Sequence, residues 1–169
     1  MPPPTDIPAT LWEQWFAAAG RADIREALQA VYLEIDHAVA ALSPRCWLSG
    51  RCCNFDQYGH DLFVTGLEIA WALQQLDGEA RDRLAGASLP SDGACPFQLE
   101  QVCTVHAIRP LGCRLFFCDP AAQSWQPRLH EQFLRQLRRL HEQHGLDYRY
   151  LEWRRGLASA RAAGIATRP

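Results

Sequence analysis

Cys46-Trp-Leu-Ser-Gly-Arg-Cys52-Cys53, then Cys95-Pro-Phe97, then Cys103-Thr-Val-His-Ala-Ile-Arg-Pro-Leu-Gly-Cys113-Arg-Leu-Phe-Phe-Cys118 are the stretches that decide how this chain reads. They hold every cysteine of the 169-residue sequence: Cys46, Cys52, Cys53, Cys95, Cys103, Cys113 and Cys118. Pro96, Pro110 and Gly112 interrupt the second group, and Pro120 follows it. Such punctuation predicts loops and tight turns rather than regular elements.

On both sides the pattern turns helical. A short helix is expected from about Ala9 to Ala19, closed by Gly20. A longer one is expected over 23–42, with Asp23 and Glu26 at capping-box spacing. Its apolar face is Ile24, Leu28, Val31, Ile35, Val39 and Leu42. Ser43-Pro44 ends it, so the first cysteine motif begins at a helix C-terminus. Asp61 to Val64 suggests a short strand, and Thr65-Gly-Leu-Glu68 a second capping box opening a helix to about Leu76. Residues 79–86 suggest one more short helix. After the cysteines, 126–163 reads as C-terminal helices, the first from Gln126 to His144 with Leu129, Phe133, Leu137 and Leu140 inward, the second from Asp147 to about Ala163. Residues 1–8, rich in proline, read as an extended arm. The expected architecture is a single mainly α domain over 1–169: a helical scaffold carrying an irregular, metal-stapled cysteine-rich loop region at 46–118.

Composition narrows the functional classes. Apolar residues make up 48% of the chain, too many for a disordered segment. A formal charge of −2 argues against a nucleic-acid binder, which needs a concentrated positive face. No apolar run approaches the roughly 20 residues of a membrane span, and the N-terminal stretch has no basic segment leading into an apolar one. The expected location is the cytoplasm, where thiols stay reduced and structural disulfides are rare. An odd number of cysteines also fits a closed set of disulfides poorly.

Clustered thiolates in a reducing compartment point to metal ligation. Zinc and iron–sulfur clusters both favour sulfur ligands, and both accept the same set, so the sequence leaves zinc and an iron–sulfur cluster open. Arg45, Arg51, Arg109 and Arg114 stand in the motifs to offset negative charge. Trp47, Phe97, Phe116 and Phe117 stand there to exclude water or to pack the core.

The order and spacing of these motifs resemble the YkgJ-type cysteine-cluster family, described as zinc- or iron-chelating domains. Its pattern reads Cys-x-x-Cys-Gly-x-Cys-Cys, then a helix opened by Thr or Ser, then Cys-Pro-Phe, then Cys-x-x-Tyr-x-x-Arg-Pro-x-x-Cys-Arg-x-Phe-x-Cys. This chain supplies Cys46, Gly50, Cys52, Cys53, Thr65, Cys95-Pro96-Phe97, Cys103, Arg109-Pro110, Cys113-Arg114, Phe116 and Cys118. It departs at two places: Ser49 stands at the second cysteine and His106 at the tyrosine. The resemblance implies that the seven cysteines bind metal, with a coordination position left open at Ser49 or filled by His106 or water. Two alternatives stand beside metal binding alone: an enzyme working through that open position, and a metal-free thiol redox protein.

The remaining polar candidates read as background. His37 falls on the outer side of the long helix, and His130, His141 and His144 read as a solvated face of the last one. Glu68 reads as a capping residue, and the Asp56 and His60 pair as loop polarity.

Overall fold

The computed structural model describes residues 7–86, 93–166 and 168, so the expected arm at 1–8 lies almost wholly outside the described residues. Its helices are α1 (Ala9–Gly20), α2 (Ala22–Leu42), α3 (Phe55–Tyr58), α4 (Gly66–Gln75), α5 (Gly78–Gly86), α6 (Leu111–Leu115), α7 (Gln126–Gln143) and α8 (Trp153–Ala162). Short strands β1 (Phe63–Thr65), β2 (Gln98–Leu99), β3 (Val102–Cys103) and β4 (Tyr150–Glu152) join them. The fold is mainly helical, as the periodicity predicts. No helix among the described residues is long and apolar enough to cross a membrane.

One continuous core runs from Leu11 through α2, α4 and α7 to Ala166. Trp12 and Trp15 of α1 meet edge to face, ring centres 5.1 Å apart, and both are fully buried. Each finds a partner for its indole N–H, Trp12 on Ser159 Oγ at 3.0 Å and Trp15 on the Asp147 carbonyl at 2.9 Å. The Trp15 ring lies against Gly66, where an added Cβ would sit 2.3 Å from it. That glycine allows α1 and α4 to pack closely.

Thr65 caps α4 as expected: its hydroxyl accepts from the Glu68 amide, and the Glu68 carboxylate accepts from the Thr65 amide. The other expected cap is not made. The residue before α2 is Arg21, with no side-chain cap, and Asp23 in the first turn instead takes the Arg21 guanidinium at 2.7 Å. The inward face of α2 also ends early, since Val39 is half-buried and Leu42 exposed. Core depth, not spacing, decides how far such a face is buried.

A second correction falls in the C-terminal segment. Residues 150–152 form β4 rather than the first turn of a helix, pairing antiparallel with β1 through Phe63–Glu152, Val64–Leu151 and Thr65–Tyr150. The helix starts only at Trp153, capped by the Glu152 carboxylate, which accepts from the Arg154 and Arg155 amides. A nonlocal partner strand overrides local helical spacing here. Through this pairing, α8 is brought back beside the cysteine motifs.

The second motif is also more ordered than its prolines and glycine predict. Residues 98–103 form a hairpin whose two turn residues, Glu100 and Gln101, both have positive φ, +48° and +68°. That is the backbone of a tight two-residue turn, adopted without the usual Asn-Gly signal. Residues 111–115 form α6, which carries Cys113 and Arg114.

Candidate functional site

Backbone contacts lace the cysteine motifs together before any side chain is considered. The Cys95 amide donates to the Cys53 carbonyl at 2.7 Å, and Asn54 bridges Ala94. Gln98 donates its side-chain amide to the Gly50 carbonyl at 2.8 Å. Gly50 has φ +70°, and an added Cβ would sit 2.5 Å from the Gln98 side chain and 2.9 Å from Gln101 Cβ. Glycine is therefore required where the hairpin leans on the first motif.

All seven cysteines line one cavity of about 370 Å³. Cys53 and Cys95 are buried, Cys46 is exposed, and the rest fall between. The walls are mostly apolar: Leu73, Leu76, Phe97, Ile108, Trp153 and Leu157 contribute. The aromatic residues singled out in the motifs all reach it, though Trp47 remains 55% exposed at its rim. Ser49 lines the same cavity, its hydroxyl 3.9 Å from Cys118 Sγ. His106 reaches it from an exposed turn.

Cys53 is the centre of an inner group. Its sulfur is 3.9 Å from that of Cys52, and Cys103 and Cys95 interact with it as well. Its contacts with Cys103, Cys52 and Cys95, and then burial, push the Cys53 thiol far up. Its neighbours move the other way. Hydrogen bonding from Cys53, with the Arg109 guanidinium nearby, lowers Cys52 to about 6 and Cys103 to about 7. Cys95 is lowered by Cys53 and by donors from Phe97 and Trp153. Cys113, on the cavity wall, is raised by loss of water and then by the neighbouring Cys95. Three thiols are thus lowered beside Cys53, while Cys53 and Cys113 are raised. Among the described residues, no three His, Cys, Asp or Glu side chains are grouped so as to hold a metal ion.

The motif arginines have separate tasks. Arg109 donates to the carbonyls of His106 at 3.0 Å and Cys113 at 3.2 Å. Arg114 is buried and shapes the same turn: it donates to the Arg109 carbonyl at 2.6 Å and the Ala107 carbonyl at 2.9 Å. It also grips both oxygens of Asp36, at 2.8 and 3.0 Å, and lies over the Tyr32 ring at 4.3 Å. Arg51 lies instead over the Tyr58 ring, at 5.1 Å.

Two contributors had no local signal. The Glu68 carboxylate, besides capping α4, accepts from the Leu111 amide at 2.7 Å and from the Tyr32 hydroxyl at 3.2 Å. Trp153 directs its indole N–H at Cys95 Sγ, 3.4 Å away and 58 residues distant in sequence. Among the histidines, His141 is fully buried rather than solvated, bonded to the Asp147 carbonyl at 3.1 Å. Asp56 and His60 do not pair: Asp56 binds Arg154 at 2.9 Å, and His60 stacks on Phe116, ring centres 4.6 Å apart.

Comparison with protein-family models, curated proteins and solved structures returned no match.

Proposed function

We propose that this chain is a cytoplasmic metal-binding protein of the YkgJ-type, whose cysteines chelate an iron–sulfur cluster or zinc and staple the loop region at 46–118. The observation that carries this reading is the convergence of all seven cysteines on one cavity. The donor set fits: soft sulfur ligands, partly ionised, beside the Arg109 guanidinium, with apolar walls that keep water out.

Cavity size favours the cluster. A lone zinc draws four ligands to about 2.3 Å from one point and needs no surrounding void. About 370 Å³ of shared space, with sulfurs on its walls, suits a larger inorganic core. Cys52, Cys53, Cys95 and Cys103 are the ligands we assign to it, with Cys113 and Cys46 on the same cavity and Cys118 beside Ser49. Such a core supplies electron transfer; Arg109 offsets its negative charge, and Phe97, Phe116 and Phe117 shield it from solvent.

Ser49 supports a second reading. Its hydroxyl faces Cys118 on the cavity wall, where a poor ligand leaves room for substrate at a metal-dependent enzyme's centre.

Metal and acid-labile sulfide analysis of protein purified without oxygen, with its visible spectrum, tests the proposal. Iron with sulfide and a brown absorption supports the cluster. Colourless protein with zinc replaces the cluster by a structural or Lewis-acid site. Metal-free protein with readily oxidised thiols overturns metal binding and favours thiol redox chemistry.

A further inference from the structure

Cys95 is the cavity sulfur that takes a donor from outside the cysteine motifs. The Cys53 thiol and the Phe97 amide both point at it, and the Trp153 indole N–H reaches it at 3.4 Å. An indole nitrogen only donates, and a buried one needs an acceptor. Trp153 is 2% exposed, and its indole has the Cys95 sulfur as that acceptor. A neutral thiol accepts weakly; an ionised or metal-bound sulfur accepts strongly. The geometry therefore marks Cys95 as a sulfur with a fixed external donor.

Trp153 is also held firmly. Its backbone amide donates to the Leu62 carbonyl at 2.7 Å, and its ring leans on Phe97 with centres 6.2 Å apart. It opens α8 directly after the β1–β4 pairing, so its direction is set by regular structure on both sides. A donor fixed in this way is what tunes a ligand: hydrogen bonds from outside the ligand set orient the ligand and shift the metal's electronics. Donation to a ligand sulfur draws electron density from it. The more negative, reduced state of an iron–sulfur cluster gains most from that, so its potential rises.

We propose that Trp153 is a positioning residue for the thiolate site, orienting the Cys95 sulfur through its indole N–H and limiting how strongly that sulfur donates to bound metal. The inference rests on the metal-binding reading above and adds to it a tuning group outside the cysteine motifs. Two features distinguish it from ordinary packing. The contact is made by the polar edge of the ring, and a phenyl ring in its place would keep the apolar contact with Phe97 while losing the N–H.

Trp153→Phe in the full chain is the test, reconstituted with ferrous iron and sulfide and, separately, with cobalt(II). The expected result is metal content equal to the parent, a more negative midpoint potential, and a sulfur-to-cobalt charge-transfer band moved to lower energy. Equal metal content with potential and band unchanged overturns the proposal. A second measurement covers a variant that folds poorly. In the metal-free parent, the Trp153 indole N–H resonance should move upfield on Cys95→Ala, as it does when a hydrogen bond is lost. An indole resonance indifferent to Cys95 overturns the contact. A parent chain that takes up neither probe overturns the metal-binding reading and the effect on bound metal, while the indole resonance still reports the N–H···S contact separately.

Discussion

The Glu68 carboxylate and the Leu111 amide meet at 2.7 Å, joining the cap of α4 to the first residue of α6. One buried side chain thus satisfies two helix starts and a tyrosine: it accepts from Thr65 at 2.9 Å and from Tyr32 at 3.2 Å as well. Since α6 carries Cys113, the capping group of α4 also fixes one wall of the cysteine cavity. Glu68→Ala removes the acceptor of four buried donors, the Thr65 amide and hydroxyl, the Leu111 amide and the Tyr32 hydroxyl, each costing about 1–3 kcal/mol if left unpaired. The expected loss is ~3 kcal/mol or more, read from the urea midpoint, together with weaker metal retention. A loss below about 1 kcal/mol would mean that water replaces the carboxylate.

Arg114 and Asp36 should respond unequally to substitution. Arg114 is buried and supplies the donors for the Ala107 and Arg109 carbonyls. Asp36 is 50% exposed, so its ion pair is screened by solvent. Arg114→Lys loses the planar fork and is expected to cost ~2 kcal/mol or more. Asp36→Asn should cost no more than about 1 kcal/mol. Denaturant unfolding of both variants reads the difference, and equal losses would show that the ion pair, not the carbonyl contacts, holds the turn.

Close packing at Gly66 gives a prediction independent of the site. A Cβ there would lie 2.3–2.5 Å from several atoms of the fully buried Trp15 ring. A rigid ring has nowhere to turn, so Gly66→Ala should destabilise by about 1–3 kcal/mol or more. The α1–α4 contact should loosen, seen as increased Trp fluorescence quenching. Unchanged stability would require α1 to shift without loss.

Acid sensitivity should trace in part to His141. Burial pushes its pKa below the ordinary 6.5, against the opposing pull of the Asp147 carbonyl bond. The folded chain therefore resists a proton that the unfolded chain accepts. Stability is complete above pH 6.5 and falls as pH drops below it, until the folded group itself titrates. The slope from one such group is at most ~1.4 kcal/mol per pH unit. His130 is lowered by burial too and adds to the slope. His141→Gln should flatten the dependence of unfolding free energy on pH in this window. A variant with the parent's full slope would move the effect elsewhere.

Ser49→Cys would place an eighth sulfur beside Cys118. The expected outcome is slower loss of metal to a competing chelator, with any metal-dependent activity suppressed. Metal loss at the parent rate would show that Ser49 does not face a coordination position.

Local chemistry alone determined a good part of this protein. Helical spacing located α2, α4 and α7 to within a residue or two, because amphipathic periodicity is a property of the local chain. Thr65 and Glu68 declared their capping box for the same reason, four residues being enough to make it. Gathering of seven cysteines between two helical flanks marked the candidate site, and those cysteines do share a cavity.

What local spacing could not decide depended on partners far away in the chain. Residues 150–152 became a strand because β1 offered an edge; His141 was buried because the Asp147–Tyr148 turn folds back over it. Glu68 reached Leu111 across 43 residues and Trp153 reached Cys95 across 58. The sequence named the thiols, since their chemistry is intrinsic. Which donors surround each sulfur was decided only when packing brought α4, α6 and α8 to the walls of one cavity.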